Sequence, residues 1–232
     1  MSARRLSVAL GLATSAGLLA PGCGITRLQS ARTTPRGETR TTIGESLVYL
    51  GDRGGFDIGG ASAIPLDLMV RHGATDRIDW GIRLLYGIGL LGDVKWNLLD
   101  PARATALSVS AGVGGAPDPS ATIFHIPVTV SASHSLRPWF TPYAAIGYSA
   151  YWIFGYGDRT PGVTYADRSW TGEGLLMLHA GLELSRATGR ALLLEYSVGV
   201  PVVNDPGDFY GFGTNHFFSI AFRTGRDGFP ER

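Results

Sequence analysis

The stretch from Ile78 to Leu98 constrains the fold most strongly, because its side chains change character at every second residue. One apolar face carries Ile78, Trp80, Ile82, Leu84 and Tyr86, and it continues past three glycines with Val94, Trp96 and Leu98. The other face carries Asp79, Arg83, Asp93, Lys95 and Asn97. A period of two is typical of β-strands and excludes a helix here.

These two runs predict a β-hairpin that turns at Ile88. In the register that we expect, Trp80 lies opposite Trp96 and Arg83 lies opposite Asp93. An odd shift would mix the two faces. The hairpin therefore has one apolar face and one face of paired charges, which fits either a soluble sheet or a membrane barrel.

Composition narrows the class of protein. The 232 residues include 33 glycines, and charged residues make up 17%, below the roughly 25% of soluble domains. Lys95 is the sole lysine, and no basic run suggests a nucleic-acid partner. Removal of residues 1–22 leaves 18 basic and 19 acidic residues. Such a balance identifies no partner.

The N-terminus has the parts of an export signal. Arg4 and Arg5 precede an apolar run and then small residues that lead to Cys23, so residues 1–22 are predicted to be a signal peptide of the general secretory pathway. The residues before Cys23 resemble a bacterial lipobox, which implies that Cys23 is acylated and anchored in the membrane. The alternative is an unlipidated signal peptide cleaved after Ala20 or Gly22.

Residues 23–40 lack periodicity and are predicted to be a lipidated, flexible tether. Strands follow at 41–50, 61–71, two within 78–98, and at 104–113, 122–133, 139–155, 171–185, 191–200 and 212–223. Residues 225–232 form a polar tail. Short turns alternate with longer loops, apart from the short turn at Ile88. We therefore predict an all-β fold over 41–224, a single antiparallel up-and-down transmembrane barrel of about ten strands, with eight as the alternative.

The chain resembles the small outer-membrane β-barrel proteins of Gram-negative bacteria. The resemblance covers 41–224 and rests on GIGLLGDVKWNLL, on the alternating strands and on the aromatic final strand FFSIAF. It implies an outer-membrane location with both chain ends on the periplasmic side. No motif indicates a subfamily.

The apolar face is predicted to contact lipid, because large aromatics typically lie at the membrane interface. The lipid-facing aromatics are predicted to be Trp80, Trp96, Tyr148, Trp152, Phe218 and Phe222. The soluble alternative is a lipocalin-like cup with an apolar interior, tethered by lipid. The Gly, Ser and Thr on the polar face favour a crowded lumen over a solvated surface.

The polar face predicts a network that fills the lumen, since small barrels are filled by side chains. Its predicted members are Asp67, Asp79, Arg83, Asp93, Lys95, Asn97, His125, His179, Glu183 and Glu195. A narrow channel or transporter for small solutes is the alternative. No His-x-Ser pair or acidic protease grouping is present, so we predict no catalysis, cofactor or metal. We expect a structural or interaction role, with membrane lipid as partner, a further protein partner possible, and a monomeric state.

Overall fold

The computed structural model describes residues 27–50, 61–85, 89–117, 121–155, 171–186, 189–202 and 214–225. These residues form ten strands: β1 Thr39–Leu50, β2 Ala61–Gly73, β3 Ile78–Leu85, β4 Gly89–Asn97, β5 Thr105–Pro117, β6 Ala121–His134, β7 Phe140–Gly155, β8 Thr171–Ser185, β9 Arg190–Val202 and β10 Asn215–Thr224. No helix within the described ranges is long and apolar enough to cross a membrane.

Each strand pairs antiparallel with its neighbours along the chain, and β1 pairs with β10, which closes the sheet. The predicted all-β, up-and-down barrel of ten strands is therefore confirmed, and the eight-stranded alternative is wrong. Closure leaves no unpaired strand edge. Every inward side chain is consequently enclosed by the sheet.

The connections divide the barrel into two ends. The connections 74–77, 98–104 and 135–139 lie at one end, together with Arg186 and Gly189 between β8 and β9, and this end is called here the short-turn rim. The opposite rim is formed by the other strand ends, such as Leu50, Ala61, Gly155 and Thr171. The connection after β5 was predicted to be long, but it spans only 118–120. Within the extension of β5, Gly114 lies opposite His125, and a Cβ there would come 2.5 Å from the imidazole Nε2.

Side chains along each strand alternate between the lumen and the outer surface. In β9, Leu193, Glu195 and Ser197 are buried, whereas Leu194 and Tyr196 are exposed. Among the buried side chains of the described residues, polar and charged types outnumber apolar ones. The barrel is thus apolar outside and polar inside, the reverse of a water-soluble domain.

The β3–β4 hairpin has a different register from the predicted one. Trp80 lies opposite Val94, and Asp79 lies opposite Lys95, so the expected Trp80–Trp96 and Arg83–Asp93 pairs are wrong. Arg83 instead pairs with Asp67 of β2. The observed register sets opposite charges directly across from each other, and it leaves Asp93 for a cation on β2.

Residues 27–38, called here the N-terminal segment, lie inside the barrel over 27–34 and reach the short-turn rim at Arg36 and Gly37. This placement contradicts the predicted flexible tether over 23–40 in its described part, because most of residues 27–34 are buried and hydrogen-bonded to inward side chains. Gly37 donates its backbone N–H to the Gly73 carbonyl at the short-turn rim, and β1 then begins at Thr39. Cys23 and residues 1–22 lie outside the described residues, as does the predicted tail beyond 225.

Candidate functional site

Arg71 links three strands in the half of the lumen nearest the short-turn rim. Its Nε and Nη2 donate to Asp79 Oδ1 at 3.1 and 2.5 Å, and its Nη1 donates to both Asp93 oxygens at 2.7 and 2.9 Å. The guanidinium reaches Asp93 across Gly81, where a Cβ would lie 2.8 Å from Nη1. A guanidinium shared between two carboxylates fixes the geometry of all three groups.

Lys95 lies next to this cluster and is fully buried. Its ammonium group is 3.6 Å from Asp79 Oδ2. It also donates to Gln29 Oε1 at 3.1 Å, to the Arg32 carbonyl at 2.7 Å and to the Ser30 carbonyl at 3.4 Å. An ammonium group has three N–H donors, and those of Lys95 bind largely to oxygens of the N-terminal segment.

Glu195 of β9 is the second point at which the barrel wall holds this segment. Its carboxylate accepts the backbone N–H groups of Arg27 at 2.7 Å and Leu28 at 2.8 Å. The Tyr143 hydroxyl donates to it at 3.0 Å and the Ser197 hydroxyl at 2.9 Å. His179 lies 3.2 Å away through Nδ1. The wall residues therefore hold the carboxylate in place.

A fourth wall carboxylate, Glu183 of β8, accepts from Arg223 at 2.6 and 2.8 Å. Ser185 donates to the same carboxylate at 3.0 Å, and the Ser30 side chain also hydrogen-bonds to it. Glu183 thus ties β8 to β10 and to the N-terminal segment. Nearer the opposite rim, Arg83 and Asp67 form a separate buried pair between β3 and β2.

The two predicted lumen histidines lie in different surroundings. His179 contacts Glu195 and, at 2.8 Å, Ser197 Oγ. His125 is completely buried and stacks on Tyr151 at 5.4 Å between ring centroids. Its Nδ1 is 3.3 Å from Ser149 Oγ, and its Nε2 has no hydrogen-bond partner among the described residues. Neither geometry joins a histidine to a nucleophile that a substrate could reach.

The N-terminal segment and the wall side chains leave little space between them. The cavity bounded by Ser30, Arg71, Lys95 and their neighbours has a volume of about 10 Å³, which is room for a single water molecule. At the rim, Arg32 donates to the carbonyls of Arg103 and Ala104 at 2.9 and 2.8 Å. This half of the lumen is therefore closed by polypeptide.

Buried charges in the lumen nearly balance. The cations are Arg27, Arg40, Arg71, Arg83, Lys95 and Arg223, and the carboxylates are Asp67, Asp79, Asp93, Glu183 and Glu195. Buried charges are tolerated when partners and hydrogen bonds compensate them. Arg27 is the least satisfied, since its Nε and Nη2 have no hydrogen-bond partner within the described ranges.

All ten residues predicted for the lumen network face the interior, with Asp93 half-buried and the rest buried. The sequence interpretation omitted Arg27, Gln29, Arg40, Arg71 and Tyr143 from that network. Arg71 and Tyr143 alternate in step with the inward-facing residues of their strands, so the period of two could have placed both in the lumen. Gln29 and Arg27 lie in the N-terminal segment, where no periodicity pointed to the lumen.

The predicted lipid-facing aromatics all lie on the outer surface. Trp80, Trp96, Tyr148, Phe218 and Phe222 are exposed, and Trp152 is half-buried against Phe124 on the same face. Glu45 of β1 is also exposed there, opposite Ile220 and between Ile43 and Leu47. It is the one acidic residue facing outward from the strands wherever side chains are described.

No group of three or more His, Cys, Asp or Glu residues suited to a metal ion occurs in the described part of the chain. The carboxylates of the lumen are instead taken up by arginine, lysine and backbone N–H groups. The arrangement can hold a polypeptide segment through charged groups.

No protein-family model and no curated protein sequence matches the chain. Among solved structures it is similar to the attachment invasion locus protein Ail of Yersinia pestis, at 11% identity over 81% of this chain and 99% of that one, with a TM-score of 0.36. It is similar to the outer membrane protease OmpT from Escherichia coli, at 9% identity over 86% of this chain and 100% of that one, with a TM-score of 0.46. It is also similar to the N-terminal β-barrel domain of Pseudomonas aeruginosa OprF, at 8% identity over 82% of this chain and 99% of that one, with a TM-score of 0.38. At these values, no residue role passes from these proteins to this chain.

Proposed function

We propose that this chain is a barrel protein of the bacterial outer membrane, with a structural or interaction role in the cell envelope and a lumen sealed by its own residues. One observation carries the proposal, namely the inverted distribution of side chains. Apolar residues cover the outside of the strands while charged and polar ones are buried within. An exposed apolar surface of this extent is stable only in contact with lipid or protein.

The exposed aromatics Trp80, Trp96 and Phe222 support contact with lipid. The cup-like soluble barrel would need the opposite arrangement, with charges outside and an apolar pocket within. The channel alternative is disfavoured for the state described here, because the N-terminal segment and the Arg71 cluster occupy the passage. The proposal includes no enzymatic step, since His125 and His179 are enclosed by the barrel.

Export by the general secretory pathway and acylation at Cys23 belong to the same proposal. Metabolic labelling with radioactive palmitate tests the second, and a Cys23→Ala variant that still carries label would refute it. We further propose a monomer, since in one closed barrel every strand is hydrogen-bonded to a neighbour on both sides and no second copy is needed to pair an edge. The short-turn rim would face the periplasm and the opposite rim the cell exterior, where a protein partner would bind.

The experiment that tests the proposal is electrophoresis of membrane fractions with and without boiling, after washing with carbonate or urea. A folded membrane barrel resists extraction, and it migrates differently before and after boiling. The Cys23→Ala variant is used so that an acyl anchor does not retain a soluble barrel. Release of this variant by the wash, in folded form, would support the lipid-tethered cup instead.

A further inference from the structure

The barrel holds the N-terminal segment through its main chain as well as through the side chains of Gln29, Ser30 and Arg32. Five main-chain atoms of the segment are bound by buried charges: the N–H groups of Arg27, Leu28 and Thr34 and the carbonyls of Ser30 and Arg32. The partners are Glu195, Asp79 and Lys95, which lie on β9, β3 and β4. Contacts of this kind do not depend on the side chains that the bound chain carries.

These three charged groups are held in place by the barrel itself. Arg71 fixes Asp79, and Lys95 is paired with Asp79. Tyr143 donates to Glu195 Oε2 and Ser197 donates to Glu195 Oε1, so both carboxylate oxygens are held. The wall therefore presents donors and acceptors in fixed positions, as a binding site does when it is organised before its ligand arrives. The segment adapts to them, since Leu28 adopts a positive φ of 46°, which is uncommon for a residue of this kind.

The contacts are also of a kind that water can replace. Carboxylates, an ammonium group and backbone amides remain hydrogen-bonded when water enters a site. The apolar contribution is small, since Leu28 and Ala31 are the buried apolar side chains of the segment. The segment enters past the exposed Arg36 and Gly37 at the short-turn rim, so leaving the lumen requires no opening of the sheet.

We propose that the half of the lumen near the short-turn rim is a binding site for polypeptide main chain, and that residues 27–36 occupy it as an exchangeable ligand within the molecule. Glu195 and Lys95 determine the binding. The ligand class is a peptide segment with free backbone N–H and C=O groups, and the side chains of Gln29 and Arg32 add further hydrogen bonds. This binding activity goes beyond a structural role for the barrel.

The test turns the segment into a separate peptide without removing it. The full chain, with Cys23→Ala to exclude an acyl anchor, receives a site-specific protease sequence between the exposed Arg36 and Gly37. The folded protein is cut in detergent and passed through a size-exclusion column. We expect the cut segment to remain bound, and an excess of fluorescent synthetic peptide of residues 24–36 to replace it with saturable binding.

Two wall variants test the assigned groups. Glu195→Gln and Lys95→Met are expected to release the cut segment at least about tenfold faster, because each loses charge-assisted hydrogen bonds to the main chain. Ser131→Ala is the matched control, since Ser131 is a buried lumen residue bonded to Ser108 rather than to the segment. Its release rate should equal that of the parent.

A second measurement leaves the wall unchanged, in case a wall variant fails to fold. In the synthetic peptide, an ester replaces the amide N–H of Leu28 or of Thr34, and each change is expected to weaken binding at least about tenfold. An ester at Gln29, whose N–H has no bond to the wall charges, serves as the control. Equal binding of all three esters would overturn the assignment of main-chain recognition.

Three other results would overturn the proposal: loss of the segment on cutting while the barrel stays folded, unfolding of the barrel on cutting, or equal retention in all wall variants. Folding is read on the same samples from mobility with and without boiling. Membrane insertion is measured on the uncut protein, so a failure of the outer-membrane proposal is recognised separately from a failure of peptide binding.

Discussion

At the scale of single residues, two glycines on neighbouring strands show how local space decides the position of a charge. Gly81 lies beneath the Arg71–Asp93 pair, where a Cβ would come within 2.9 Å of Asp93 Oδ1. Gly92 of β4 has nothing within 4 Å of the same hypothetical atom. Only the first glycine is required for the lumen network.

We therefore expect Gly81→Ala to destabilise the barrel by about 1–3 kcal/mol, because a buried charged hydrogen bond is displaced. Gly92→Ala is the matched control, and it should change the free energy of unfolding by less than about 0.5 kcal/mol. The measurement is urea unfolding in lipid vesicles, followed by tryptophan fluorescence. Equal stability of the two variants would show that Arg71 reaches Asp93 without the space at Gly81.

Glu45 is a second residue whose position has an energetic consequence. It faces outward among Ile43, Leu47 and Ile220, where the proposal places hydrocarbon. A carboxylate on the lipid side of a barrel is unfavourable to a degree that depends on its depth.

We expect Glu45→Leu to stabilise the barrel in vesicles by about 1 kcal/mol, and Leu47→Glu to destabilise it by a comparable amount. Urea midpoints measured in the same lipid give both values. If water covered this surface, replacement of the carboxylate by leucine would bring no gain in stability. Such a result would contradict the lipid-facing assignment.

At the scale of elements, the period of two identified every strand, but it did not fix how the strands pair. The β3–β4 hairpin was judged from its own charges, which favoured Arg83 opposite Asp93. In the barrel, β2 lies beside the hairpin and contributes Arg71 near its open end and Asp67 nearer its turn. A register chosen from β3 and β4 alone leaves out β2. The charges of β2 pair with Asp93 and Arg83, and they therefore compete with the Arg83–Asp93 pair.

The N-terminal segment was beyond prediction for a related reason. Its composition is that of a linker, and its partners are distant in sequence, such as Glu195 for Arg27 and Ala104 for Arg32. Only a closed barrel brings them together. The alternation of side chains along the strands predicts which strand residues join the lumen network. It gives no indication of the polypeptide segment that fills the lumen.

The position of the segment bears on acylation. The four peptide units between Cys23 and Arg27 span at most about 14 Å. Arg27 is bound to Glu195, five residues into β9 from the short-turn rim, which is about 13 Å along the axis of a tilted strand. An acyl chain at Cys23 that also entered the bilayer would have to pass over the rim. If Cys23 is acylated as proposed, this reach leaves almost no length for crossing the rim, so we expect acylation and occupancy of the lumen to compete.

This competition predicts that Lys95, the sole lysine, reacts with a water-soluble amine reagent severalfold faster in the acylated protein than in Cys23→Ala. The ammonium group is exposed only when the segment leaves. Mass spectrometry of the peptide that contains Lys95 measures the rate. Equal rates in the two folded proteins would mean that acylation leaves the segment in place.

At the scale of the whole molecule, the network and the segment together predict a closed barrel. The remaining space near Lys95 is about 10 Å³, too little for a hydrated ion. We expect the Cys23→Ala protein, in which no acyl chain competes with the segment, to be silent in planar lipid bilayers. Regular single-channel steps from pure, folded protein would favour the narrow-channel alternative.

The most direct test of the whole arrangement asks which solvent each face contacts. Variants with a single tryptophan at Trp80 or Trp96 report on the outer surface, and Phe217→Trp in a background without other tryptophans reports on the lumen, since Phe217 is completely buried. In vesicles, brominated acyl chains should quench Trp80 and Trp96 strongly and the lumen reporter weakly, because quenching requires contact. Aqueous acrylamide should quench the two outer tryptophans poorly. If acrylamide quenches Trp80 and Trp96 efficiently and brominated lipid does not, the apolar surface faces water or a protein partner, and the proposed location in the outer membrane is wrong.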